Sequence, residues 1–372
     1  MEDTSNAVTE DAQPRGFVPV PSSSTSGARI AIVNHFQAHG TIGVARRFFS
    51  QSYLFLILIA TCFLGTQISP FFLTGRNLQN IVVTAAVVSV LAVGQFMVIV
   101  TAGIDLSVGS IAALATVIAA VLLRSGYGTG IAVVVTLLVC GLAGLLNGSL
   151  VVFGGITPFI ATLGTLSIIR GIAYLIQTGT LIGITDKGFI QVFAGKTAGV
   201  PHVVIIFLIV MLVSAFVMKF TAYGRRLYAI GGNPEAARLS GLPVSRDLLG
   251  AYSFAGLLAG LAGLMLAAQL AQGSSLVGQG YELDSIAAAV VGGASLFGGT
   301  GGPVTAVIGG LLIGTISNIM NLAGIQSEPQ LVIKGALILV AVYLTSGGPA
   351  RVRKFVNRVR RTSPSPTEQS RT

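Results

Sequence analysis

Charge is scarce in this sequence: Asp, Glu, Lys and Arg make up 9% of its 372 residues. Soluble domains carry about 25% charged residues, and a chain this poor in them could not keep its surface hydrated. Tryptophan is absent, so any aromatic belt at a membrane interface has to come from Tyr and Phe. The two cysteines, Cys62 and Cys140, both lie inside apolar runs. They read as small buried hydrophobes rather than a disulfide or a metal pair. Histidine occurs three times, with no HExxH spacing, and there is no CxxC, which argues against a metal enzyme. No GxxxxGK[ST] run exists either, so the chain has no ATP site built on that phosphate loop. No nucleophile–base–acid arrangement is evident, and the chain is read as not an enzyme.

What is present points one way. Hydrophobic residues make up 53% of the chain and the mean hydropathy is +0.85. A soluble fold cannot hide that much apolar surface, so the expectation is an all-α polytopic membrane protein. The 48 glycines suit helices that approach closely within a bilayer. The formal net charge of +10 would suggest nucleic acid in a soluble protein. Here the basic residues gather in the tails and in one polar stretch, so no nucleic-acid partner is expected. Residues 1–45 are acidic, then rich in Ser and Pro. They lack the basic start and apolar core of a secretory signal and read as a disordered tail. Residues 349–372 are basic, contain "SPSPTEQS", and read as a second tail. Between them, 46–348 forms the transmembrane domain.

A span needs about 20 apolar residues, and about ten candidate runs occur: 53–69, 78–100, 106–123, 131–153, 158–176, 202–220, 248–270, 284–296, 303–322 and 331–344. The run at 284–296 is too short to cross as a regular helix, so a short or broken element is expected near 284–300. Lys and Arg set the orientation. With ten spans and the N-terminus inside, Arg15, Arg29, Arg46 and Arg47 fall inside. So do Lys219, Arg225, Arg226, Arg238 and Arg246, and every basic residue after 350. Only Arg76, Arg124, Lys187 and Lys196 fall outside. Both termini and the polar stretch 221–247 are then cytoplasmic.

That stretch contains "NPEAARLSG". Asn233 can accept the free N–H groups of a first helical turn, and Pro234 suits the first helical position. Glu235 complements the positive helix end. Ala236, Ala237 and Arg238 favour helix, and Gly241 supplies a stop. The result is a helix of about two turns flanked by Gly231 and Gly232. A free helix that short does not persist in water, so it docks on its own bundle or on a cytoplasmic partner.

Asp105, in "TAGIDLSVGSIAAL", stands where one run ends and the next begins. It can cap the third span, act as a gating or proton-relay carboxylate, or contact a partner. Glu282 and Asp284 fall at the outer mouth of the short segment, to cap it or to meet a partner or solute. Gln95, Asn147, Thr162 and Asn318 can line a central path or make helix–helix hydrogen bonds. Phe96 and Phe159 can stack on the apolar face of a solute.

Three motifs in order, "AGIDLSVGS" (102–110), "NPEAARLSG" (233–241) and "GYELDSIAAAVVGGASLFGGTGG" (280–302), together with "GLLNGSLVVFGGITPFIATLGTLSIIRGIAYLI" (144–176), resemble the permease subunit of bacterial ABC importers for monosaccharides, the ribose-transport type. The resemblance covers about 77–345. It implies a multi-pass subunit of the bacterial inner membrane that forms the translocation path. It also implies no ATPase in this chain: ATP and Mg²⁺ belong to a cytoplasmic ABC ATPase subunit. A periplasmic or lipid-anchored sugar-binding protein delivers the sugar, and a second permease copy or paralogue completes the channel. The coupling helix falls on Asn233, Pro234, Glu235, Ala236, Ala237, Arg238 and Gly241. Asp105, Ser107, Gly109, Glu282, Asp284, Gly292, Gly293, Gly298 and Gly299 carry the remaining family motifs. The alternative from another class is an ion- or proton-coupled secondary transporter, which needs an intramembrane carboxylate such as Asp105.

Overall fold

A computed structural model describes residues 54–345; the two predicted tails, 1–45 and 349–372, lie outside the described residues. The first described helix, α1, is Leu54–Ile68. It is followed by α2 (Gly75–Ile99), α3 (Val108–Arg124), α4 (Thr129–Val152) and α5 (Pro158–Gln177). Then come β1 (Ile182–Gly183), α6 (Lys187–Ala194), β2 (Lys196–Thr197), β3 (Val200–Pro201) and α7 (His202–Phe220). The polar stretch forms α8 (Ala222–Gly232) and α9 (Pro234–Leu239). The chain continues through α10 (Val244–Leu270), β4 (Gln272–Gly273), α11 (Tyr281–Val291), α12 (Pro303–Leu322) and α13 (Ser327–Thr345). The strands are two-residue pieces, paired antiparallel as β1–β4 and β2–β3. The molecule is thus an all-α polytopic membrane protein. A helix stands on each of the ten apolar runs. Among the described residues, α2, α4, α5, α7, α10 and α12 are long and apolar enough to cross a membrane.

α2 and α10 form the centre. In their most apolar windows 83% and 78% of residues are buried, against 28% in α4, α5 and α7, which therefore lie at the periphery. A helix apolar on all sides belongs in a protein core or in lipid, and both cases occur here. Glycines set the close approach of α4 to α10. A Cβ at Gly144 would strike the Tyr252 carbonyl, and one at Gly256 would strike the Cys140 carbonyl. "GLLNG" (144–148) and "GLLAG" (256–260) are the small-xxx-small spacings that let two backbones meet. On the other side of the core, Gly310 lies against Ser89 and Gly314 against Ala85, seating α12 on α2.

Besides shifts of a few residues at helix ends, such as α10 starting at Val244 and α13 at Ser327, two predicted segments change. The polar stretch holds two helices rather than one. Gly231 and Gly232 continue α8 instead of flanking α9, because Gly231 is pressed against other backbone, where only glycine fits. The short segment predicted at 284–296 begins earlier, at Tyr281, and stops at Val291. Gly293, Gly298, Gly299 and Gly301 then take positive φ values of 91°, 84°, 74° and 118°, which no helix continues through.

The 272–280 connection turns back along α3. Gly273 lies against Thr116 and Ala120, and Gly278 against Gly109. Irregular backbone is tolerated among membrane helices only where protein satisfies it, and side chains do so here. The Thr116 hydroxyl accepts from Ser274 N–H at 3.0 Å, and Gln177 Oε1 accepts from Ser275 N–H at 2.7 Å. Arg170 Nη1 donates to the Ser275 and Val277 carbonyls at 2.8 and 2.9 Å.

Candidate functional site

The polar stretch is built as a bracket. Thr221 caps α8 by accepting from Gly224 N–H at 3.3 Å. Arg226 then reaches Asp247, in the first turn of α10, with Nε–Oδ2 at 2.6 Å and Nη2–Oδ1 at 2.9 Å. This two-pronged pair is strong and directional, and its carboxylate is 2% exposed. The Tyr223 hydroxyl donates to the Asp247 carbonyl at 3.2 Å. Burial, and then the Asp247 charge, push its phenol above the ordinary range. α8 is therefore tied to α10 at its beginning.

α9 carries the predicted caps. Asn233 Oδ1 accepts from Ala236 N–H at 3.0 Å, and Pro234 is the first helical residue. At the other end Gly241 takes φ +76°. Gly241 N–H donates to Arg238 O at 3.0 Å and Leu242 N–H to Ala237 O at 3.1 Å, the paired bonds of a glycine-terminated helix. Ala237, expected on the coupling surface, instead faces inward. It is buried against Ile230, Val244, Leu242 and Leu248. Leu239 lies two residues on, about 200° around the helix, and is 81% exposed. Glu235, Ala236 and Arg238 are exposed with it. Leu239, Arg226 and Asp247 were missed in the sequence. The helical periodicity of the stretch carried the signal for Leu239, but the Arg226–Asp247 pair had none.

Asp105 is wholly buried. Its Oδ1 accepts from Ser107 N–H at 2.8 Å and from the Ser107 hydroxyl at 2.7 Å, a local turn at the mouth of α3. The carboxylate thus holds Ser107, the residue before the first turn of α3, and does not reach the free N–H groups of that turn, where no side chain caps the helix. Asn147, from α4, donates to the Ser107 hydroxyl at 2.7 Å and to both Asp105 oxygens at 3.4 Å. Gln95, from α2, brackets the Asp105 backbone when its amide is assigned the orientation that suits both neighbours: its N then donates to Asp105 O at 3.0 Å and its O accepts from Asp105 N–H at 3.2 Å. Three helices thus converge on one turn. Thr162 donates to Ile104 O at 3.1 Å beside it. Gln95, Asn147, Thr162 and Phe96 are all buried between helices. Asn318 pairs with Asn77 through amide hydrogen bonds of 2.8 and 3.0 Å. Phe159 alone of these residues is widely exposed, at 53%.

Glu282 and Asp284 do not sit at an open mouth. Asp284 is buried, and its Oδ2 accepts from Lys334 Nζ at 2.7 Å across to α13. Glu282 Oε1 accepts from Gly280 N–H at 3.2 Å, and its other oxygen lies where a Cβ on Gly109 would stand. Gly109 is therefore the glycine that admits Glu282 to the first turn of α3. The 292–302 loop is equally tight: a Cβ on Gly292 would strike the Thr305 carbonyl, and Gly299 N–H donates to Val100 O at 2.9 Å.

The family model described as "Branched-chain amino acid transport system / permease component" matches residues 77–342. The D-allose transport system permease protein of Escherichia coli K12 is 40% identical over 291 residues, covering 78% of this chain and 89% of that protein. The ribose import permease protein of Bacillus subtilis 168 is 40% identical over 292 residues, covering 78% and 91%. Its namesake in Escherichia coli K12 is 39% identical over 309 residues, covering 80% and 95%. No solved structure matches the chain. The matches lend no support to an ion-coupled secondary transporter. The long apolar helices and these relatives place the chain in the bacterial inner membrane as a multi-pass protein. With the model match spanning 77–342 and relatives this similar over three-quarters of its length, the chain belongs to this family of transport-system permease components, as a transmembrane, non-catalytic permease subunit of the ABC type.

Proposed function

We propose that this permease imports a monosaccharide, with α9 as the element that docks on a cytoplasmic ATPase subunit. The sugar rests on the relatives named for ribose and allose, which are similar along nearly their whole length. The observation that carries the docking role is the form of α9. It is a six-residue helix, closed by its own caps, with Ala237 turned inward and Glu235, Ala236, Arg238 and Leu239 turned out. A helix too short to persist alone is thereby held ready as a projecting knob.

Ten spans follow from the apolar runs, and the distribution of Lys and Arg along them favours both termini and α9 on the cytoplasmic side. A sugar-binding protein delivers the solute from outside, and a second copy or a paralogue completes the path. ATP-driven closure of the ATPase pair draws the α9 helices together, and α7 and α10, which flank the polar stretch, move with them. Few fixed polar groups along the path suit weak binding and fast release. The test is reconstitution with the neighbouring ATPase and binding protein, following labelled ribose and allose. Uptake that requires ATP and the binding protein supports the reading. Uptake that survives ATP depletion but collapses with the proton gradient refutes it.

A further inference from the structure

We infer that motion of α9 reaches the membrane core through a backbone-on-backbone junction at Gly231, where the end of α8 is wedged between the end of α2 and the glycine loop that precedes α12. The inference rests on the ABC-permease reading of α9 and adds the route by which its movement is used, with Gly231 and Tyr228 as positioning residues.

One residue, Asn233, separates α8 from α9. Displacement of α9 is therefore displacement of the last turn of α8. That turn has no side chain at its point of contact. A Cβ on Gly231 would overlap the Val100 carbonyl, and would lie 2.6 Å from Gly299 N. From the opposite side, a Cβ on Gly298 would meet Gly231 O at 2.7 Å and Ala102 N at 2.9 Å. Gly299 N–H donates to Val100 O at 2.9 Å, joining the other two partners to each other. Tyr228, one turn earlier on α8, donates to Gly301 O at 2.8 Å and packs its ring against Phe96 of α2.

Side chains in a loose interface absorb small shifts by changing rotamer, but close-packed backbone transmits them. Here three main-chain segments meet with no rotamer between them. Val100 leads directly into the Asp105 turn, which Gln95 and Asn147 bind to α2 and α4. The loop that carries Gly298 and Gly301 joins α11 to α12. A push on α9 is thus delivered to the turn where three helices converge and to the loop between two more. The Tyr223 hydroxyl and the Arg226–Asp247 pair hold the first half of α8 to α10, so α8 acts as an arm anchored along its first half and loaded at its tip.

The test uses the full permease, co-purified with its ATPase subunit and reconstituted with the binding protein. Two variants leave the exposed face of α9 intact: Gly231→Ala, and Tyr228→Phe, which keeps the ring and removes one hydrogen bond. Both are expected to retain the ATPase subunit at wild-type stoichiometry with unchanged basal hydrolysis. Solute imported per ATP should fall about tenfold in Gly231→Ala, within the range of mutations along a coupling route, and about threefold in Tyr228→Phe, as for one lost hydrogen bond. Unchanged solute per ATP in Tyr228→Phe overturns the junction, even where Gly231→Ala does not accumulate. Loss of the ATPase subunit from either variant also overturns it, because the residue then serves docking. A wild-type permease that binds no ATPase subunit refutes the transporter reading itself and removes the basis for the junction.

Discussion

Leu239 offers the sharpest test of the docking surface. It is 81% exposed, on a helix that buries only Ala237 against the bundle. Fully burying a leucine contributes about 1.5–3 kcal/mol. If the partner covers Leu239, truncation to Ala forfeits most of this, about 1.5–2 kcal/mol, or roughly a 10- to 30-fold weaker association. Alanine is the best helix former, so the substitution leaves α9 itself intact. The assay is titration of the ATPase subunit onto immobilised permease in mild detergent, at low and high salt. Leu239→Ala should weaken binding equally at both. Arg238→Glu should weaken it mainly at low salt, since exposed charges are screened. If both variants bind within twofold of wild type, α9 is not the docking element.

Three further predictions concern how the bundle holds its shape. Arg226→Ala leaves the Asp247 carboxylate buried without its partner. It should cost about 2–3 kcal/mol, below the fully buried case because Arg226 is partly exposed, and an unchanged melting temperature in detergent contradicts this. Gly144→Ala places a Cβ on the Tyr252 carbonyl and should destabilise by about 1–3 kcal/mol by forcing α4 from α10, read by the same melt. Asn147→Leu removes the donor to the Ser107 hydroxyl and to Asp105; a loss of about 1–3 kcal/mol is expected, and stability equal to wild type would show that Asp105 needs only its local turn.

Much of the helical map was legible because a helix is a local object. Apolar runs marked the helices, and the caps of α9 (Asn233, Pro234, Gly241) act within four residues of themselves. The class of protein was legible for a simpler reason: few charges and many apolar residues leave no soluble fold. Facing was harder. Ala237 was read as part of a contact surface, but the burial of one helical face depends on what lies beneath it, here Ile230 and Val244. Gln95 and Asn147 were read as alternatives between a path and a helix contact. Their convergence on Asp105 from two other helices is a contact that no local pattern in the sequence signals.

The sequence by itself determined that this is a membrane protein of many helices, where those helices lie, and that a capped polar helix interrupts them. These properties follow from composition, from the 3.6-residue period and from groups a turn apart. The tertiary structure alone decided that 272–280 turns back along α3, that Asp284 meets Lys334, and that Gly231 touches Val100 and Gly299. Each of these depends on partners far away in the chain: Ser274 is held by Thr116, 158 residues distant, and Ser275 by Gln177, 98 residues distant. A glycine in a sequence states only that a close approach is permitted. Which backbone comes close is settled when the helices pack.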